Sequence, residues 1–230
     1  EQRAALARRA PDGTHPHVLV MTATPIPRTV AMTVFGDLDV STLDEVPAGR
    51  AEVTTHVINP RTQPRQVDWL WERAAEEAAA GHRVFIVCPR IDAANVEEGS
   101  TTDVAGEADV SIATVEETFH EAVARLPNAR VAALHGRMSA EDKESVMAGV
   151  ASGGVDVVVS TTVIEVGVDV PDATMMIVFD ADRFGISQLH QLRGRIGRGS
   201  LPGVCLLVSA AEDGTPTRER LDAVASTRNG

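Results

Sequence analysis

The chain has 230 residues, enough for one or two cores, with 43% hydrophobic residues and a formal charge of −12. No apolar run reaches the length of a membrane span and no secretion signal opens the chain, so neither a membrane-spanning nor a secreted protein is expected. The two cysteines, Cys88 and Cys205, are too few and too far apart for a zinc centre, and read as core thiols of a reducing cytoplasm.

The elements follow in order. A first apolar run over 17–22 predicts a strand that ends in Thr22-Ala23-Thr24-Pro25. A long connection, Gly36 to Arg50, follows without a β-α unit of its own. Residues 1–45 therefore read as the tail of a preceding domain, and 50–230 as a nearly complete second one. Valine-rich runs bounded by Gly, Pro or Asp predict strands over 53–58, 83–88, 130–134, 155–160, 174–179 and 203–208. Pro64 and Gly81 mark the start and stop of a helix over 64–80. At least one of Trp69 and Trp71 on that helix is expected in the core. Ser139, with Asp142 three residues on, opens a helix over 140–151. The stretch 92–112 is acidic and glycine-containing and reads as a surface loop. Strand and helix in alternation argue an α/β doubly wound sheet.

Charge is uneven along the chain. Nine acids and no lysine or arginine lie between Asp92 and Glu121, whereas four arginines and no acid lie between Arg183 and Arg198. The latter stretch contains Gln188-Leu-His-Gln-Leu-Arg-Gly-Arg-Ile-Gly-Arg198. Glycine lets backbone approach a ligand, and arginine presents a permanently charged fork to phosphate oxygens. The recurring Gly-Arg spacing points to half of a nucleotide site rather than a solvated basic loop. The other half is missing. The sole lysine, Lys143, follows Glu-Asp, and no Gly-x-x-x-x-Gly-Lys loop exists.

Other motifs sit at predicted strand ends, where α/β sheets bind ligands. Ser160-Thr161-Thr162 offers hydroxyls and amides to phosphate. Beyond them, Glu165 and Asp169 present carboxylates that could hold a ribose hydroxyl or fix an arginine. His135-Gly136-Arg137 precedes a helix whose amino-terminal amides form an anion site. Arg90 occupies the equivalent end of another strand. Thr22 and Thr24 fit a relay between two sites, and equally an ordinary Thr-Pro turn. With no tyrosine and few other aromatics, contacts to nucleic acid would fall on phosphates, with little base specificity.

Thr-Ala-Thr-Pro, the run Ser160 to Pro171 and the run Gln188 to Arg198 together resemble motifs III, V and VI of superfamily 2 helicases. Thr22 to Thr29, Asp44 to Arg50 and His135 to Met138 resemble, within that superfamily, the RecG family of bacterial DNA helicases. The resemblance implies a RecA-like doubly wound parallel sheet over 50–230, the second helicase lobe, preceded over 1–45 by the tail of the first RecA-like lobe. It implies a DNA motor that drives fork regression and branch migration in recombination and repair. ATP with Mg2+ would sit between the lobes of the full-length enzyme. Branched DNA (forks and Holliday junctions) would be the partner, with single-stranded-DNA-binding protein as a second, and the motor would be a cytoplasmic, nucleoid-associated monomer with no membrane. By motif, Arg195 and Arg198 would contact the γ-phosphate, with Gln191 and Gly194 shaping the approach. Gly167 and Asp169 would line the nucleotide side. Arg90, His135, Gly136, Arg137, Thr161 and Thr162 would track DNA phosphates, and Thr22 and Thr24 would couple the two sites. The family's wedge domain, lysine loop, metal motif and translocation hairpin are not among these residues, so this piece alone is expected to bind no cofactor and to hydrolyse no ATP above background. Two alternatives remain: the transcription-repair coupling translocase Mfd, and a binding module without motor activity.

Overall fold

The computed structural model describes residues 51–91, 113–162, 170 and 172–227. The expectations for strand 17–22, for residues 1–45, for the acidic stretch 92–112, and for Thr22, Thr24, Glu165, Gly167 and Asp169 lie outside the described residues.

The described chain folds as β1 (Val53–Ile58), α1 (Pro64–Ala79), β2 (Arg83–Val87), α2 (Val115–Arg125), β3 (Val131–Leu134), α3 (Ala140–Ala151), β4 (Val157–Ser160), β5 (Ala173–Val178), α4 (Ile186–Arg193), β6 (Gly203–Val208) and α5 (Pro216–Ser226). Each of the six strands expected beyond residue 50 is present, two of them with the expected bounds and the other four with an end shifted by one or two residues. The largest shift has a local cause. Val155 is taken out of β4 because its N–H closes the end of α3 on the Gly149 carbonyl at 3.0 Å.

The six strands form one sheet in the order β1-β6-β5-β2-β4-β3, with every neighbouring pair parallel. The inner strands β4 (VVVS) and β5 (ATMMIV) are buried along their whole length, as parallel strands covered on both faces must be. The edge strand β1 (VTTHVI) instead alternates, with Thr54 and His56 exposed. Leu70, Trp71 and Ala74 of α1 and Val115 and Ala122 of α2 pack on Val84, Ile86, Met175 and Ile177. Val150 of α3, Leu189 and Leu192 of α4 and Leu221 and Val224 of α5 pack on Phe85, Met176, Val178 and Leu207. Helices on both faces of a parallel sheet make the doubly wound α/β fold that the alternation predicts. Trp71 is in the core at 3% exposure and Trp69 lies outside at 44%.

The helix ends follow their sequence signals. Pro64 stands in the first turn of α1, and Gly81 turns the chain after it at φ +84°. Ser139 Oγ accepts from the Asp142 N–H at 3.0 Å, and Thr114 and Thr215 cap α2 and α5 in the same manner. Cys88 and Cys205 are buried free thiols, and desolvation pushes both up to about 12, as inert core residues. Among the described residues no helix is long and apolar enough to cross a membrane.

Candidate functional site

Because all six strands run the same way, the sheet has a carboxyl edge and an amino edge, and the expected functional residues divide between them. At the carboxyl edge the register sets Leu134 against Ser160 and Ser160 against Val87. The residues that follow these three strand ends are neighbours: His135-Gly136-Arg137 after β3, Thr161-Thr162 after β4, and Cys88-Pro89-Arg90 after β2. The Cys88 N–H donates to the Ser160 carbonyl at 2.8 Å and the Thr161 N–H to the Leu134 carbonyl at 3.3 Å, tying the three exits together. All six residues assigned to DNA phosphates therefore share one edge. Thr161, Thr162, His135 and Arg90 are half-buried, and Gly136 and Arg137 are exposed.

Two atoms at this edge are buried without a hydrogen-bond partner: Ser160 Oγ and His135 Nδ1. A buried polar atom left unpaired costs free energy, so orphaned groups at a strand-end crevice mark where a ligand or water belongs. Beside them is a groove of about 290 Å³, apolar along Ile91, Val115, Phe119 and Ala133 and polar along Glu116, His135 and Arg137.

The amino terminus of α3, expected as an anion site, has one of its amides already taken. Ser139 Oγ takes the Asp142 N–H, and Glu141 and Asp142 already place negative charge in the first turn. Arg137 is the exposed cation of this turn, next to the half-buried His135. The turn is braced by Lys143, whose Nζ donates to the Gly136 carbonyl at 2.9 Å.

Sequence reading missed Asp180, just beyond β5. It is a non-glycine residue at φ +46°, and its carboxylate accepts the Ala113 N–H at 2.7 Å. Burial raises its pKa and the Asp182 charge adds to this, against the pull of Ala113, Arg183 and Arg90. The run Phe-Asp-Ala-Asp-Arg at a predicted strand end was the available signal.

The arginine segment lies at the opposite edge. It leaves α4 and runs past the beginnings of β5, β1 and β6. The Gly197 N–H donates to the Ala173 carbonyl at 3.0 Å, the Ala51 N–H to the Gly199 carbonyl at 3.2 Å, and the Gly203 N–H to the Glu52 carbonyl at 2.9 Å. Ile196 is fully buried. Gly197 sits at φ +64°, and a Cβ there would stand 2.5 Å from Val53 Cγ2, so both conformation and space demand glycine. Gly194 caps α4, Gln191 and Arg195 are half-buried, and Arg198 is exposed with its Nε–H on the Gly194 carbonyl at 3.2 Å. Arg193 departs from the other two arginines. It is 7% exposed and donates to the carbonyls of Val224 at 2.9 Å and Thr227 at 2.6 Å. The residues at this edge that fit an anion are thus Arg195 and Arg198.

A doubly wound parallel sheet with strand-end hydroxyls on one edge and a packed Gly-Arg segment on the other defines a helicase motor lobe. The helicase conserved C-terminal domain model matches residues 66–200, and the chain belongs to that family. Along its whole length it is 56% identical to the ATP-dependent DNA helicase RecG of Mycobacterium bovis and 43% identical to that of Synechocystis, of which it spans 30% and 25%. A solved structure of RecG bound to a three-way DNA junction superimposes with a TM-score of 0.71 at 36% identity, over 94% of this chain and 26% of that one. The chain thus spans less than a third of these relatives. The matches do not favour the Mfd alternative or the non-motor one.

Proposed function

We propose that the chain is the second motor lobe of an ATP-dependent DNA helicase that remodels branched DNA, acting in fork regression and branch migration. The observation that carries this reading is the division of its polar residues between two edges of one sheet, in a chain similar to RecG throughout its length.

In this reading the carboxyl edge grips DNA. Arg90, His135 and Arg137 supply charge and donors, Thr161 and Thr162 supply hydroxyls and amides, and Gly136 keeps the backbone low. Such contacts hold a phosphate backbone without reading sequence, as a motor requires. ATP, with Mg2+, supplies the cleavable phosphoanhydride when bound. Arg195 and Arg198 stabilise the negative charge that grows on its terminal phosphate, without having to gain or lose a proton. Gln191 and Gly194 shape the approach. Gly167 and Asp169 on the nucleotide side, and Thr22 and Thr24 between the two sites, belong to the reading by motif alone. The residues in hand hold no phosphate-cradling lysine loop, so alone they are expected to hydrolyse no ATP above background. The motor is read as a cytoplasmic monomer.

The test is hydrolysis by the full-length protein with forked DNA, single-stranded DNA and no DNA. Fork-stimulated turnover that falls by about 10³-fold or more in Arg198→Ala is the expected result. Turnover indifferent to forks, or intact in Arg198→Ala, overturns the reading.

A further inference from the structure

Arg193 belongs by sequence to the same glycine-spaced set as Arg195 and Arg198, yet it is folded inward. One guanidinium nitrogen donates to the carbonyls of Val224 and Thr227, at 2.9 and 2.6 Å, and the other meets His190 Nδ1 at 3.0 Å. Val224 lies in the last turn of α5 and Thr227 is its C-cap. Carbonyls at a helix carboxyl end lack intrahelical donors and carry the negative end of the helix dipole. A planar cation buried against two of them forms charge-assisted bonds with fixed geometry, which a flexible ammonium cannot reproduce.

Arg193 is also the last residue of α4. The chain after it has little freedom. The Gly194 N–H is held by the His190 carbonyl at 2.9 Å and the Arg195 N–H by Leu192 at 2.9 Å; the Ile196 N–H meets the Arg193 carbonyl itself at 3.3 Å. Gly197 is then fixed on Ala173 and against Val53. The segment carrying Arg195 and Arg198 is therefore pinned at two points, at Arg193 on the end of α5 and at Gly197 on the start of the sheet.

We infer that Arg193 is a positioning residue, which locks the end of α4 to the end of α5 and thereby fixes the orientation of Arg195 and Arg198. The inference rests on the reading of those two arginines as phosphate-facing. It accounts for a basic residue inside the lobe that makes no use of solvent, and it assigns the three arginines two different tasks.

The test uses the full-length protein with Arg193→Met, Arg193→Lys, Arg198→Ala and the double variant Arg193→Met/Arg198→Ala. Arg193→Met is expected to lower kcat by about 10- to 100-fold, the scale of a misplaced catalytic group, with a far smaller change in KM for ATP. Arg193→Lys, which keeps the charge and loses the fork, recovers part of the loss. In the Arg198→Ala background Arg193→Met costs less than it does in the wild type, because the part of its effect that runs through Arg198 is already lost and only the part through Arg195 is left. Additive losses overturn the inference. Hydrogen exchange gives a readout independent of turnover: in Arg193→Met or Arg193→Lys, amides 195–199 lose protection together with 225–227 while β2 and β4 keep theirs. Loss confined to 225–227 also overturns it. A wild-type protein without DNA-stimulated hydrolysis sinks the helicase reading, and leaves the exchange experiment to decide whether Arg193 holds the segment.

Discussion

The two edges of this sheet are built on opposite principles. At the carboxyl edge, polar groups are placed and then left unfinished: Ser160 Oγ and His135 Nδ1 are buried without partners, and Asp180 holds a left-handed backbone conformation. At the amino edge every anchor is satisfied. Glu77 takes the Thr174 hydroxyl at 2.6 Å and pairs with His82 and Arg73, Asp156 takes Arg130, and Arg193 takes the end of α5. Local strain and unpaired groups persist in native folds where a ligand completes them. Dense, satisfied packing is what a group needs when its orientation matters more than its adaptability. The comparison teaches that the carboxyl edge is built to be completed and the arginine edge to hold still.

The strongest way to break this contrast is to disturb the amino edge at Gly197. Alanine there meets both the positive φ and the 2.5 Å approach to Val53 Cγ2. The expected loss is about 3 kcal/mol, combining left-handed strain with overpacking, read as a lower urea midpoint. Val53→Ala should recover the steric part and leave the conformational part. A loss below about 1 kcal/mol means the edge is not held as tightly as the contrast requires.

A smaller effect is expected at the carboxyl edge, and on a different axis. Arg137→Ala and His135→Ala in the full-length protein should each weaken DNA binding by about 1 kcal/mol and leave stability within about 0.5 kcal/mol of wild type. For Arg137→Ala the slope of log affinity against log salt should shrink by about one. Arg198→Ala should leave that slope unchanged. If it flattens the slope as Arg137→Ala does, the two edges are not functionally distinct.

The contrast was only half legible in the sequence. Valine runs bounded by turn residues located all six strands beyond residue 50, because period and punctuation are local properties. The capping of α3 by Ser139 was likewise local, as was the burial of one of the two tryptophans, though not which one. The clustering of His135, Thr161 and Arg90 could be anticipated, since each follows a strand and parallel strands share an edge. Two facts could not be read locally. The strand order that places β4 between β2 and β3 is tertiary. The inward turn of Arg193 depends on α5, which begins more than twenty residues later in the chain. Glycine spacing singled out the arginine segment, and in the structure Gly197 is required there by Val53 and by the backbone.

The pair of variants that includes the smallest effect is the most discriminating, because the sign should differ between edges. Hydrogen bonds from Arg130, with Arg83 nearby, hold the Asp156 pKa below the ordinary 3.8. A carboxylate with a depressed native pKa adds stability above the unfolded value, and that stability is lost as pH falls through the native value. Asp156→Asn should therefore cost about 1 kcal/mol at neutral pH. Asp180 behaves in the opposite manner. Burial raises its pKa above 3.8, so the native state binds the proton more readily than the unfolded chain. Its ionised form is then a net cost above the native pKa, and the cost disappears as pH falls below the unfolded value. Asparagine tolerates the φ of +46° and keeps an oxygen for the Ala113 N–H. Asp180→Asn should raise stability at pH 7 by about 0.5 kcal/mol, with the gain vanishing in acid, where wild-type Asp180 is itself neutral. Thermal melts of both variants across pH decide the matter. Two losses would mean that the carboxyl edge relies on Asp180 as a structural anchor, in the way the amino edge relies on Asp156, and the contrast between an edge with unpaired groups and an edge with satisfied anchors would fail at its centre.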